Sequence, residues 1–228
     1  MMTKPGVPTP IVFVPRQGEP QLLFVLLHGE SASPEQLFPL AEAVKKAFPQ
    51  AMVVLPYADH LSDLTEATSA LVAQIRQYQA DFGLSGQQTA LAGFSRGATL
   101  MLEASHVQSD LAGRVLAFSG LYAHQPTTVP PATMLHFFHG EEDRALPVAQ
   151  VRQTLEHLGE LQGDATLDVA SMVGHELHDA LIKQAVVRLQ TCVPLRNWEA
   201  AFSSLQERAQ DPAIDETPPA KPPSRTLH

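Results

Sequence analysis

Short apolar runs alternate along this chain with longer stretches whose apolar positions recur at helical spacing. The runs cover residues 11–14, 22–27, 52–55, 89–92, 115–118, 134–138 and 166–170. They are nearly continuous rather than alternating, the pattern of strands covered on both faces. The stretches between them carry helix signals. Ser33, Pro34 and Gln36 read as an N-cap, a proline at the first helical position and a capping-box residue. Asp63 and Glu66 repeat the box, and Gly83 can end that helix in the left-handed conformation. Further helical stretches are read near 96–107, 148–161, 176–191 and 197–209. Strand–helix alternation of this kind predicts an α/β fold, a mainly parallel sheet of about seven strands with helices on both faces.

Prolines concentrate at the two ends, with ten of the 19 lying at positions 5–20 and 212–223. The sequence therefore predicts one domain over 1–209 and a disordered, Pro-rich tail over 210–228, where apolar residues are scarce. A length of 228 residues suits one substantial α/β domain. Hydrophobic residues are 44% of the chain and charged residues 17%, enough to build a large core. The net charge of −9 argues against nucleic acid or an anionic membrane as the main partner. No apolar run reaches the length of about 18 residues needed for a membrane span, and MMTKPGVPTP lacks the apolar segment of a secretory signal. Cys192 is the only cysteine, so neither an intrachain disulfide nor a cysteine zinc site is available. These features predict a cytoplasmic protein acting on a small molecule, with a homodimer left open.

The most informative segment is Gly93-Phe94-Ser95-Arg96-Gly97, entered from an apolar strand and followed by a helix. This is the G-x-S-x-G pattern in the strand–turn–helix setting it requires. The turn is so tight that residues two positions away on either side must lack a Cβ, and it lifts a serine hydroxyl to a helix N-terminus. Ser95 is therefore the candidate nucleophile. Ser119 also follows a strand but lacks the upstream glycine, and reads as a turn serine.

A serine hydroxyl needs a general base, and the base needs an orienting carboxylate, in the chain order Ser, acid, His. Past the run 134–138 comes His139-Gly140-Glu141-Glu142-Asp143, where Asp143 is the chosen acid and Glu142 is not excluded by spacing. Past 166–170 comes Gly174-His175-Glu176-Leu177-His178. His175, at the strand exit, is the chosen base, because His178 is expected inside the next helix. His60, His106, His124 and His157 carry no motif. His136 and His139 sit at odd separation on one strand and so face opposite ways, which argues against a metal site. The tetrahedral intermediate needs backbone donors. Arg96, after the nucleophile, supplies one; the loop His28-Gly29-Glu30-Ser31, after an early strand, supplies the other through Glu30.

These motifs together resemble the phospholipase/carboxylesterase family, which includes acyl-protein thioesterases and small bacterial carboxylesterases. The resemblance rests on Leu27-His28-Gly29, Gly93 to Ala98, His139 to Asp143 and Gly174-His175-Glu176, with Val115 to Tyr122 similar to the segment after the nucleophile helix of bacterial members. It covers about residues 10–195. It implies an α/β-hydrolase that cleaves esters or thioesters of modest size without a cofactor or metal. Lactone or peptide hydrolysis, and a non-catalytic hydrolase-fold scaffold, are the alternatives. The chain departs from the family pattern at Glu30-Ser31-Ala32, where relatives carry an apolar residue and Gly-Asp, and at Arg96, where they carry Gln. The opposite charges at 30 and 96 suggest an ion pair. The short stretch between Pro56 and Asp63 suggests a shallow acyl site suited to short chains.

Overall fold

The fold is that of a computed structural model, which describes residues 9–57 and 63–191. The helix read at 197–209, the tail at 210–228 and most of the loop after Pro56 lie outside the described residues. All described residues belong to one unit, Met1–Cys192.

Seven strands form one sheet: β1 (Ile11–Phe13), β2 (Leu22–Leu27), β3 (Ala51–Leu55), β4 (Thr89–Phe94), β5 (Arg114–Phe118), β6 (Met134–Gly140) and β7 (Ala165–Ala170). Their order is β1-β3-β2-β4-β5-β6-β7, and only β1 runs antiparallel to its neighbour. Both faces are covered, so alternate residues of a central strand enter different cores. Leu23, Val25 and Leu27 join the core under α2 (Leu64–Phe82), α3 (Arg96–Val107) and α4 (Val148–Glu160). Phe24 and Leu26 join the core under α1 (Phe38–Ala47) and α5 (Asp179–Thr191). That two-sided burial is why the runs read as apolar throughout. β7, at the edge, is only half-buried along its length.

Local signals account for most helix ends. The Asp63 side chain accepts from the Glu66 N–H at 2.8 Å, and Gly83 ends α2 at φ 64°. The expected box at Ser33 does not form. Residues Pro34–Leu37 make a single 3₁₀ turn, and the α-helix starts only at Phe38. Pro39 has no N–H to extend an α-helical ladder from the preceding turn, and the Gln36 side chain is bonded elsewhere, to Gly29.

The chain leaves β2 for β3 on one side and reaches β4 on the other, so the strand order reverses between β2 and β4. A crevice outside the carboxyl ends of the strands at such a point is where open α/β sheets bind ligands.

Candidate active site

Ser95 stands between the end of β4 and the start of α3 at φ 53° and ψ −119°, a strained conformation for a residue with a Cβ. Its N–H donates to the Phe118 carbonyl of β5 at 2.9 Å, which anchors the turn to the neighbouring strand. The flanking glycines are required by space. A Cβ on Gly93 would lie 2.4 Å from the Gly97 backbone, and one on Gly97 would lie 2.3 Å from the Leu27 carbonyl oxygen. A Cβ on Gly120 would likewise lie 2.7 Å from the Ser95 carbonyl oxygen.

The three residues chosen from spacing come together. His175 Nε2 lies 3.1 Å from Ser95 Oγ, and His175 Nδ1 lies 2.8 Å from Asp143 Oδ2. With a carboxylate facing Nδ1, that nitrogen carries the hydrogen, which leaves Nε2 to accept from the serine hydroxyl. The Phe94 ring packs against the imidazole with centroids 5.0 Å apart. Asp143 is buried, and its Oδ1 accepts from the N–H groups of Ala145 at 3.0 Å and Leu146 at 2.9 Å. Burial works against its charge, but the Leu146 N–H and the His175 imidazole outweigh it and hold the carboxyl below the usual carboxylate range. Glu141 and Glu142 are exposed. Their backbones staple the loop instead, with Glu141 N–H on the Ala170 carbonyl and Glu142 N–H on the Val173 carbonyl, both at 2.9 Å.

His178 is not inside a helix as expected. The helix begins one residue later, and His178 is exposed, its Nδ1 accepting from the Ala180 N–H at 3.2 Å. It acts as a helix cap. Ser119 is buried at φ 47° as a turn residue after β5.

Arg96 follows the serine directly, and Glu30 lies in the loop after β2, where a Cβ on the preceding Gly29 would stand 3.5 Å from the Phe94 carbonyl oxygen. Arg96 opens α3, so its amide belongs to the positive end of that helix. The Glu30 amide shares a peptide plane with the Gly29 carbonyl. That carbonyl accepts from His28 Nδ1–H at 2.8 Å and from the Ala32 N–H at 3.3 Å, while the Gly29 N–H donates to Gln36 Oε1 at 2.8 Å. The plane is thus held at its carbonyl, the Gln36 bond holds the preceding peptide plane, and the Glu30 N–H points away from the Gly29 carbonyl. Ser31 adopts φ 57° where relatives of the resembled family carry glycine. Among the ion pairs of the described residues none involves Glu30, which is exposed. Glu30 is solvated at the tip of its turn, so its charge has no need of a partner.

Sequence reasoning missed the roles of Gln36 and His28 in this loop. Gln36 was read as a cap because its spacing from Ser33 fits one; no local pattern announces a bond back to residue 29.

Among the described residues, no helix is long and apolar enough to cross a membrane, and no three His, Cys, Asp or Glu side chains converge on a metal site.

A sequence model of the phospholipase/carboxylesterase family matches residues 58–193. The chain is 28% identical over 204 residues to the esterase YpfH of Escherichia coli K12, covering 80% of this chain and 88% of that protein. Among solved structures it is similar to esterase PE8, with a TM-score of 0.72, 23% identity, and coverage of 81% of this chain and 99% of that one. It is also similar to the carboxylesterase of Bacillus cereus, with a TM-score of 0.68, 16% identity, and coverage of 78% and 91%. At these identities the structural likeness speaks for the fold: the sheet order and helix placement are those of an α/β-hydrolase.

Proposed function

The chain belongs to the phospholipase/carboxylesterase family and is a carboxylesterase-type hydrolase, and from that premise we propose that it cleaves carboxylic esters and thioesters through an acyl-enzyme on Ser95. The observation that carries this reading is the unbroken hydrogen-bond chain from Ser95 Oγ through His175 to Asp143, at 3.1 and 2.8 Å.

In this reading, Ser95 Oγ attacks the substrate carbonyl carbon as His175 Nε2 takes the hydroxyl proton. Asp143 holds the imidazole in the tautomer that leaves Nε2 free to accept, and then stabilises the imidazolium. The amides of Glu30 and Arg96 donate to the oxyanion of the tetrahedral intermediate, where preorganised donors contribute most. Collapse of that intermediate breaks the bond to the leaving oxygen or sulfur, and His175 passes its proton to the departing alkoxide or thiolate. Water, deprotonated by the now neutral imidazole, then attacks the acyl carbon, and the bond to Ser95 Oγ breaks as His175 returns that proton to the serine and the acid leaves. The chain's own residues supply every step. The substrate is a small ester or thioester. The same reading puts the enzyme in the cytoplasm, where a chain with a single cysteine needs no disulfide.

The test is hydrolysis of p-nitrophenyl esters and acyl thioesters by wild type and Ser95→Ala, with a fluorophosphonate probe in parallel. Turnover abolished in Ser95→Ala, with one label per chain on Ser95 of the wild type, is the expected result. Full activity in the variant, or labelling of Ser119, overturns it.

A further inference from the structure

His139 sits one residue before the end of β6 and outside the three-residue relay, yet it touches the relay's carboxylate. Its side chain is buried, with Nε2 2.6 Å from the Leu146 carbonyl oxygen and 3.3 Å from Asp143 Oδ2. A carbonyl and a carboxylate can only accept, so Nε2 carries the hydrogen. Burial lowers the proton affinity of the ring, against the raising effects of the Leu146 carbonyl and Asp143, so it is neutral with its hydrogen on Nε2. The charged and titratable groups facing it are Asp143 and His175.

The carboxylate of Asp143 is then satisfied on both oxygens. Oδ1 holds the amides of Ala145 and Leu146, and Oδ2 accepts from His175, with His139 Nε2 3.3 Å away and its hydrogen on the Leu146 carbonyl. Leu146 is gripped twice, its N–H by Asp143 and its carbonyl by His139. This matters because the Cβ–Cγ torsion of an aspartate is broad and two-fold, so its hydrogen bonds decide where the oxygens point. A neutral ring beside Oδ2 leaves its charge for the imidazolium that forms on His175; a permanent cation would compete with that imidazolium.

We propose that His139 is a positioning residue: by gripping the Leu146 carbonyl it fixes the segment whose amide holds Asp143 Oδ1, and so sets the carboxylate orientation that keeps His175 aligned on Ser95. The proposal rests on the Ser95–His175–Asp143 reading above.

The experiment is steady-state kinetics with p-nitrophenyl butyrate across pH, alongside melting temperatures. His139→Leu is expected to lower kcat by about 10–100-fold, as misplacement of reacting groups does, with KM changed less than about twofold. The acid limb of kcat/KM should move to higher pH, because Oδ2 without the Nε2–H dipole 3.3 Å away holds the His175 imidazolium more strongly. His139→Gln, whose amide can place an N–H near the former Nε2, should recover most of kcat and restore the limb. If His139→Leu fails to fold, His139→Asn, too short to reach the Leu146 carbonyl, takes its place with the same expectation. Wild-type kcat and limb in the donor-less variant, or equal losses in the Gln and Leu variants, overturn the proposal. Ser95→Ala is assayed in the same series. If it is inactive while His139→Leu behaves as wild type, only the positioning role falls; if it retains activity, the relay itself falls and the proposal with it.

Discussion

Gly140 and Gly174 touch backbone to backbone: a Cβ on Gly140 would stand 2.3 Å from the Gly174 carbonyl oxygen, and equally close to that of Val173. The end of β6 therefore has to be bare for the chain carrying His175 to cross it. Because the obstructing atoms are backbone, they cannot swing aside as a side chain would. Gly140→Ala is expected to displace residues 173–175 and with them the imidazole. A shift on the order of 1 Å costs about 10²-fold in rate, while overpacking at one methyl costs about 1–3 kcal/mol of stability. Kinetics paired with urea denaturation check this; a variant that loses stability but keeps kcat would show that the loop moves without moving His175.

Ser31 raises the reverse question, a side chain where none is favoured. At φ 57° it holds the left-handed conformation in the loop that carries the Glu30 amide. That strain costs about 1–2 kcal/mol in a residue with a Cβ, and glycine gives back about 0.5–1 kcal/mol through its freer unfolded state. Ser31→Gly should therefore be neutral to about 1 kcal/mol stabilising in urea denaturation, and Ser31→Val clearly destabilising. A destabilised glycine variant would show that the serine side chain contributes something beyond tolerating the turn.

The parts legible in the sequence are those that depend on neighbours along the chain. The run 22–27 coincides with β2, and the stretch 96–107 with α3, because two-sided burial and the tight turn at Ser95 leave local signatures. Asp143 and His175 were legible because each must lie just past a strand end. Contacts between distant segments were not. Nothing near residue 140 says that it must be bare for residues 173 and 174. His139 drew attention as part of the His139–Asp143 motif and as a metal ligand set aside, although its spacing of four from Asp143 is what brings the two side chains near each other. The sheet order, and the antiparallel pairing of β1 with β3, likewise follow from packing among segments far apart in sequence.

The two histidines after β7 should separate sharply. His175 Nε2 faces the serine, whereas His178 is exposed and caps α5. His175→Ala is expected to lose at least about 10³-fold in kcat, the scale of triad removal. His178→Ala should stay within about threefold of wild type and lose about 0.5–1 kcal/mol of stability as a weak cap. A dead His178→Ala with an active His175→Ala would reverse the assignment of the base.

His136 predicts how stability depends on pH. It is fully buried, its Nδ1 lies 2.8 Å from Thr166 Oγ1, and its Nε2 has no hydrogen-bond partner. Burial, with the nearby charges of Arg114 and Arg188, pushes its pKa down from 6.5 to about 4, against the pull of Asp168. The folded state thus binds this proton less tightly than the unfolded state. Its contribution is complete above pH 6.5 and is lost progressively as the pH falls toward 4. At about pH 5 the loss is about 2 kcal/mol. Urea denaturation at pH 7.5 and 5 should show this decrement in wild type and not in His136→Leu, while esterase activity at pH 7.5 is retained. An equal decrement in both would assign the acid sensitivity to other groups.

The last expectation concerns Glu30, whose side chain is exposed while its amide is the proposed oxyanion donor. A solvated carboxylate on that residue opposes a developing oxyanion by Coulomb repulsion, but in water that repulsion is below about 1 kcal/mol. Glu30→Gln should accordingly raise kcat, by no more than about fivefold, and the gain should shrink as added salt screens the exposed charge. With no ion pair to break, the effects of Glu30→Gln and Arg96→Gln should add within about 0.5 kcal/mol. Rates for the two single variants and the double variant at low and high ionic strength decide the matter. A coupling well above that margin would mean that the two charges meet during turnover, and a slower Glu30→Gln enzyme would mean that the carboxylate assists the reaction instead of opposing it.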